Sequence, residues 1–328
     1  MIQSIIFPMV FGFAVFMVGM KLMELALHRL AGPYLSSILE RSTATPMHGM
    51  AVGTITTAFL QSSTAVTILS IGLVNAGLLT FSRTLGIILG TNIGSCITTE
   101  LIGLNITKLA IPFIAFSFAI WLLTALLGEM GLLPSYKSSN WLKPLRSASV
   151  AMGGFGLLLA GLSIMQSSGP AIQESELFSW FLQKSATSLW WGLAAGTILT
   201  ALVHSSAAVI GMIMGFTMIG AMPIELGIAI VLGANVGTCA TALLASIGGS
   251  KAGFYVALSH VILNISGALL FMPFIDQLML VSDWLSGTPS SQIARAQTIF
   301  NVASSLLALP VCYFGFIKKL DPAGNSKV

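Results

Sequence analysis

Runs of about 20 apolar residues recur along the whole of this 328-residue chain, and only 7% of its residues are charged, against roughly 25% in a soluble domain. A helix rising about 1.5 Å per residue needs about 20 such residues to cross roughly 30 Å of hydrocarbon. The runs therefore read as spanning helices, and no stretch is left over for a soluble domain. In hydrocarbon each unpaired backbone N–H or C=O costs several kcal/mol. Any polar or irregular segment inside these runs thus needs a reason.

Two such segments stand out, QSSTAV at residues 61–66 and HSSAAV at 204–209, which are 143 positions apart. Shifting the sequence by 143 aligns Gly53–Leu101 with Gly196–Leu244 without a gap, and 19 of those 49 positions are identical. The shared positions are mostly small or polar, among them Thr57/Thr200, Ser62/Ser205, Ser63/Ser206, Gly90/Gly233, Asn92/Asn235 and Gly94/Gly237, while the apolar positions between them have drifted. Residues 13–23 and 155–165 also correspond. The chain is a duplication, each half built from a first helix, a QSS or HSS segment, a GTN or GAN segment and a further helix.

Spanning helices are predicted at about 4–27, 84–104, 106–128, 148–167, 224–247, 252–273 and 295–317. The first is read as a retained helix, because it lacks the basic start and cleavage site of a signal peptide. If each Ser-Ser segment is a re-entrant hairpin and the N-terminus lies outside, 11 of the 14 basic residues fall on one side, among them Lys21, Arg29, Arg41, Arg83, Lys137, Lys251 and Lys318. Lys108, Lys184 and Arg295 fall opposite. Basic residues gather on the cytoplasmic side, so this arrangement gives a cytoplasmic C-terminus and two inverted repeats. A single broken span in place of each hairpin distributes the charges worse. The expected fold is an all-α polytopic membrane protein with two inverted repeats, each with a re-entrant hairpin and an unwound helix, about seven spanning helices plus two hairpins in all. Its parts are a first membrane repeat over residues 1–146, a second, inverted one over 147–290, and a last transmembrane helix with a cytoplasmic tail over 291–328. The net charge of +4 calls for no nucleic acid partner, since the insertion rule accounts for it.

A hairpin tip in hydrocarbon survives only around a polar cavity. Gln61, Ser62, Ser63 and Thr64 supply an amide and hydroxyls at one tip, and His204, Ser205 and Ser206 do so at the other. The helix that starts after each tip directs free N–H groups and its positive dipole end at the same place, which makes an anion site. LGTNIGS (residues 89–95) and LGANVGT (232–238) flank an asparagine with glycines and are expected to unwind. Exposed carbonyls, with Thr91, Asn92, Ser95, Asn235 and Thr238, would then offer hard neutral oxygens to a small hard cation such as sodium. Inverted repeats, broken helices, an anion at helix N-termini and a cation at unwound carbonyls are the parts of a coupled secondary transporter.

Other readings weigh less. Gly, Ser and Thr also serve simply to pack membrane helices, but packing does not explain why Asn and Ser-Ser are kept in both halves. His204 beside Ser205 suggests a serine hydrolase, yet the other repeat has Gln61 there, which is no base. Glu24, Glu100 and Glu225 fall near predicted helix ends, where snorkelling is the default. His260 and Asn264 share one helix face, for interhelical bonding or for lining the cavity. Cys96, Cys239 and Cys312 have no metal spacing and read as packing residues. The chain is not read as an enzyme and needs no cofactor, with sodium as the coupling ion.

At these motifs the sequence resembles the bacterial sodium/phosphate cotransporter family, relatives of the type II sodium-dependent phosphate transporters. That family carries a duplicated QSSS segment, each copy followed by G-(T/S/A)-N-(I/V)-G-T. Here the copies are Gln61-Ser62-Ser63-Thr64 with Gly90-Thr91-Asn92-Ile93-Gly94-Ser95, and His204-Ser205-Ser206-Ala207 with Gly233-Ala234-Asn235-Val236-Gly237-Thr238. Thr64, His204 and Ala207 depart from the pattern. The resemblance implies a sodium-driven symporter of inorganic phosphate in the bacterial inner membrane, working by alternating access, with phosphate at the serine motifs and sodium at the nearby polar residues. Many bacterial relatives carry a cytoplasmic PhoU-like regulatory domain, which this chain is expected to lack, and the resemblance leaves room for a homodimer in the lipid bilayer. Transport of another small oxyanion, phosphate efflux, and a non-transporting scaffold or sensor are the alternatives.

Overall fold

The computed structural model describes residues 5–128, 141–315 and 317. Lys137 and the tail beyond residue 317, used above to orient the chain, lie outside the described residues. The described residues are helical, with no strand. In chain order the helices are α1 (Phe7–Ser42), α2 (Pro46–Leu60), α3 (Ser63–Asn75), α4 (Phe81–Gly103), α5 (Ala110–Gly128), α6 (Leu142–Gln166), α7 (Gly169–Gln173), α8 (Glu176–Thr187), α9 (Trp190–Val203), α10 (Ser206–Met218), α11 (Ile224–Gly237), α12 (Cys239–Ser246), α13 (Lys251–Phe271), α14 (Ile275–Trp284) and α15 (Pro289–Ala308). Seven segments are long and apolar enough to cross a membrane: Phe7–Gly32, Phe81–Gly103, Thr107–Leu127, Leu142–Gln166, Ile224–Ser246, Lys251–Trp284 and Pro289–Tyr313. These are the seven predicted spans, and the polytopic all-α class holds.

The chain gathers into two compact units, residues 1–33 with 105–172 and residues 34–104 with 173–328. In the first, α1 and α6 meet through glycines: a Cβ on Gly12 would lie 2.8 Å from the Gly161 carbonyl oxygen, and one on Gly154 2.6 Å from that of Gly19. The Ser117 hydroxyl of α5 donates to the Ser149 carbonyl of α6. The second unit holds both Ser-Ser segments.

Each of those segments is the tip of a helical hairpin, α2–α3 in one repeat and α9–α10 in the other. At the tip the chain reverses through one residue in the left-handed region, Gln61 with φ 56° and His204 with φ 57°. Ser62 and Ser205 follow in extended conformation. Serine in that conformation caps a helix N-terminus by offering its hydroxyl to a free N–H. Ser62 Oγ accepts from Ala65 N at 3.3 Å, and Ser205 Oγ from Ala208 N at 3.2 Å. Both hairpins end alike. Gly77 and Gly220 each take φ 71°, and Leu78 N and Ala221 N bond back to Leu73 O and Phe216 O, each at 2.9 Å. This six-to-one closure requires a residue at positive φ, for which glycine carries no steric cost.

The expected unwinding of the glycine-asparagine segments is not what the structure shows. Helix α4 runs unbroken from Phe81 to Gly103 through Gly90–Ser95. The interruption between α11 and α12 is confined to Thr238, which keeps helical dihedrals. The glycines are there for close helix packing instead. A Cβ on Gly94 would stand 2.5 Å from Thr54 O and 2.7 Å from Thr57 Cβ, and one on Gly237 at the same distances from Thr197 O and Thr200 Cβ. Gly86 and Gly90 likewise abut the backbone of α2, and Gly233 that of α9. Small residues let membrane helices approach backbone to backbone. That contact holds the segment helical.

Gly94→Ala and Gly237→Ala are each expected to destabilise the bundle by about 1–3 kcal/mol through overpacking. Gly72→Ala, with nothing within 4 Å of the added Cβ, should be neutral or stabilise α3 by about 0.5–1 kcal/mol. Thermal unfolding of the three variants in detergent checks the contrast.

Candidate functional site

Helix α3 packs against α12 and α13, and α10 packs against α4 and α15. The first hairpin thus meets helices of the second repeat, and the second hairpin meets α4, which carries the glycine-asparagine segment of the first. Beneath the first tip this leaves a closed-up polar cavity, without room for a water molecule, lined by Ser63, Thr64, Thr67, Thr238, Thr241, Ala242 and His260. The first N–H groups of a helix have no acceptor within it. At α3 the Ser62 cap takes that of Ala65 and leaves those of Ser63 and Thr64. Across the cavity the Thr238 hydroxyl donates to Asn235 O at 2.6 Å and that of Thr241 to Thr238 O at 2.8 Å. Thr67 Oγ1 and His260 Nδ1 are buried without a hydrogen-bond partner.

Ser63, Thr64 and Thr238 thus come together. Gln61, Ser62, His204, Ser205 and Ser206 do not line this cavity. Gln61 Nε2 donates back to Ala58 O, and Gln61 Oε1 is buried and unpartnered. His204 is exposed at its tip, with Ser205 buried and Ser206 half-buried behind it.

The sodium candidates lie within helices, except Thr238 at the junction of α11 and α12. Thr91 donates to Ile88 O and Ser95 to Asn92 O, both at 2.8 Å. Asn92 Nδ2 donates to Asn264 Oδ1 at 3.2 Å, and Asn235 Nδ2 to Val231 O at 2.9 Å. The carbonyls expected to be exposed are used in the helix. Asn92 and Asn235 are themselves buried.

Residues 15–167, and again residues 157–280, match the family model described as Na+/Pi-cotransporter. The chain belongs to the Na+/Pi-cotransporter family. The two matches follow one another along the chain, once for each repeat. "Uncharacterized protein YqeW" of Bacillus subtilis is 33% identical over 310 residues, covering 94% of this chain and 95% of that protein. "Putative inorganic phosphate export protein YjbB" of Salmonella typhimurium is 22% identical over 89% of this chain, which spans about half (51%) of its length. "Sodium-dependent phosphate transport protein 2A" of Oryctolagus cuniculus is 33% identical over 88 residues, 26% of this chain and 14% of that protein. No solved structure gives a significant match.

Two features of this cotransporter-family chain were given no role in the sequence reading. One is Thr57 and Thr200, equivalent under the 143-residue shift, whose hydroxyls are buried without a partner four residues before Gln61 and His204. Their presence in both repeats was the available signal. The other is the polar face of α15. Gln297 Oε1 accepts from Thr99 at 2.5 Å, Asn301 Nδ2 donates to Cys96 Sγ at 3.2 Å, and Arg295 pairs with Glu100, which also accepts from Thr298 at 2.5 Å. Glu100 is therefore held by α15 and does not snorkel. Glu24 pairs with Lys21 on its own helix, at 2.6 Å.

Glu100→Leu should destabilise the protein by roughly 2 kcal/mol, below the 3–5 typical of a fully buried pair because both side chains keep some exposure. Glu100→Leu with Arg295→Met should recover most of that loss, since it leaves no unpaired charge. Unfolding midpoints of the single and double variants decide the point.

Proposed function

We propose that this protein is a sodium-coupled symporter of inorganic phosphate in a bacterial cytoplasmic membrane, with its N-terminus outside and its C-terminus in the cytoplasm. The observation that carries the reading is the meeting of the N-terminus of α3, from one repeat, with Thr238 and Thr241 from the other, around a polar crevice that is closed in this conformation. A helix N-terminus with its N–H groups free attracts an anion, and a cavity shared between two repeats is where alternating access requires the substrate to sit. Family membership and the phosphate-transport names of the relatives support the choice of anion. In this reading phosphate is held near Gln61, Ser62, Ser63 and Thr64, with His204, Ser205 and Ser206 serving the second tip. Sodium takes the side-chain oxygens of Thr91, Asn92, Ser95, Asn235 and Thr238. A second reading, net export, is favoured by the export name of the Salmonella relative, and both directions are open to one symport cycle run along different gradients.

Uptake of radiolabelled phosphate into proteoliposomes should follow an imposed sodium gradient and fall to background when the gradient is removed. Phosphate uptake indifferent to sodium would overturn the coupling. Asn235→Asp and Asn92→Asp should each shift the sodium dependence of uptake more than its phosphate dependence. Ser63→Ala should weaken phosphate affinity about tenfold to a hundredfold, the range expected for a hydrogen bond to a charged ligand.

A further inference from the structure

Asn92 and Asn235 are equivalent under the 143-residue shift, yet their side chains are held in different ways. Asn235 Nδ2 donates to Val231 O, one turn back on its own helix, at 2.9 Å. The equivalent acceptor for Asn92 is Ile88 O, and the Thr91 hydroxyl already donates to it at 2.8 Å. The second repeat has Ala234 in place of Thr91, so Asn235 meets no such competitor. Asn92 Nδ2 turns to the other repeat instead and donates to Asn264 Oδ1 of α13 at 3.2 Å.

One backbone carbonyl fixes which end of each amide faces which way. A carbonyl oxygen only accepts, so the end of the Asn264 amide that lies 2.9 Å from His260 O is Nδ2. The other end of Asn264 is then Oδ1, which also only accepts, so the end of Asn92 beside it is Nδ2. The Asn92 amide oxygen is thereby turned away from Asn264, and no described residue donates a hydrogen bond to it. The two side chains are 7% and 2% exposed, so these bonds and not solvent set the order. Ser95 and Cys96 bond the backbone carbonyl of Asn92 and leave its side chain alone.

We infer that Asn264 is a positioning residue: it holds the N–H2 end of Asn92 and so presents the amide oxygen to the coupling cation. The inference rests on the sodium reading of Asn92 above and adds the residue that orients it. A cation is drawn to the oxygen of an amide and repelled by its N–H2 end, so an amide free to turn over is a poorer ligand. Groups that orient a metal ligand from behind commonly account for about tenfold to a hundredfold in affinity. Because Asn264 belongs to α13, which also packs on α3 and α4, the oxygen is set only while the second repeat is seated against the first. Sodium then favours that seated arrangement to the extent that it binds it better than any other.

Phosphate uptake by the full chain in proteoliposomes, measured over a range of sodium and then of phosphate concentrations, tests the assignment. Asn264→Leu should raise the half-saturating sodium concentration about tenfold to a hundredfold and leave the half-saturating phosphate concentration, at saturating sodium, within twofold of wild type. Asn264→Asp keeps an oxygen for Asn92 to donate to, and its half-saturating sodium concentration should stay at or below that of the wild type. A purely structural asparagine predicts lost stability or maximal rate in both variants with the sodium curve unmoved. A folded Asn264→Leu protein with a sodium curve within twofold of wild type overturns the inference, and so does an Asn264→Asp curve displaced as far as that of the leucine variant. Should Asn264→Leu not fold, Asn264→Ser, whose hydroxyl is too short to reach Asn92, answers the same question. Wild-type uptake indifferent to sodium overturns the sodium reading and this inference with it, whereas sodium-dependent wild-type uptake with an unmoved Asn264→Leu curve removes Asn264 alone.

Discussion

A chain that reverses between two helices in one or two residues leaves the first N–H groups of the second helix without intrahelical partners, and the two hairpin tips are where this chain meets that constraint. The reversal is kept as short as an L-residue chain permits: one left-handed residue, Gln61 or His204, and one extended serine. Each serine satisfies one N–H of the helix that follows. What remains is a helix N-terminus with donors still free. At the first tip the polar side chains of Thr238, Thr241 and His260, from α12, α13 and the residue before α12, close over it.

Bringing those elements together depends on a second contact, the glycine-lined approach of α4 to α2 and of α11 to α9. Because the two backbones nearly touch, the asparagine segments stay helical and their carbonyls stay bonded. The consequence is chemical. A cation drawn to these segments meets the oxygens of Asn, Ser and Thr side chains, and substitution can probe these one at a time in a way that backbone carbonyls do not allow.

Helix α15 completes the second unit from outside the duplication. Polar side chains in a membrane protein turn inward and pair, and α15 supplies partners to α4 along its length: Arg295 and Thr298 to Glu100, Gln297 to Thr99, Asn301 to Cys96. Arg83 does similar work at the other end of α4, donating to the carbonyls of Glu40 and Thr43 at the end of α1, at 2.7 and 2.9 Å. A positive side chain at a helix C-terminus bonds its last carbonyls and complements its dipole. The helix that carries Asn92 is thus held at both ends by charge and along its middle by glycine.

The sequence by itself determined the spans, the duplication and the two Ser-Ser tips, because these are local or periodic properties. Twenty apolar residues need a bilayer wherever they occur, a serine after a reversal caps the next helix, and an internal repeat is visible on comparing the chain with itself. It also pointed to Ser63, Thr64 and Thr238, whose residue types match a cavity wall. Tertiary structure decided what depends on the neighbour across a helix interface. Gly-x-x-x-Gly around an asparagine is equally compatible with an unwound helix and with a close-packed one, and only the backbone of α2 or α9 against it selects the second. Gln61 and His204 align in sequence, yet a residue on the tip turns its side chain according to what packs there, so Gln61 Oε1 is buried while the His204 ring is exposed. His260 lies 56 residues beyond the second tip and reaches the first only because α13 packs on α3. No local pattern encodes that meeting, since it exists only once the two repeats are folded against each other.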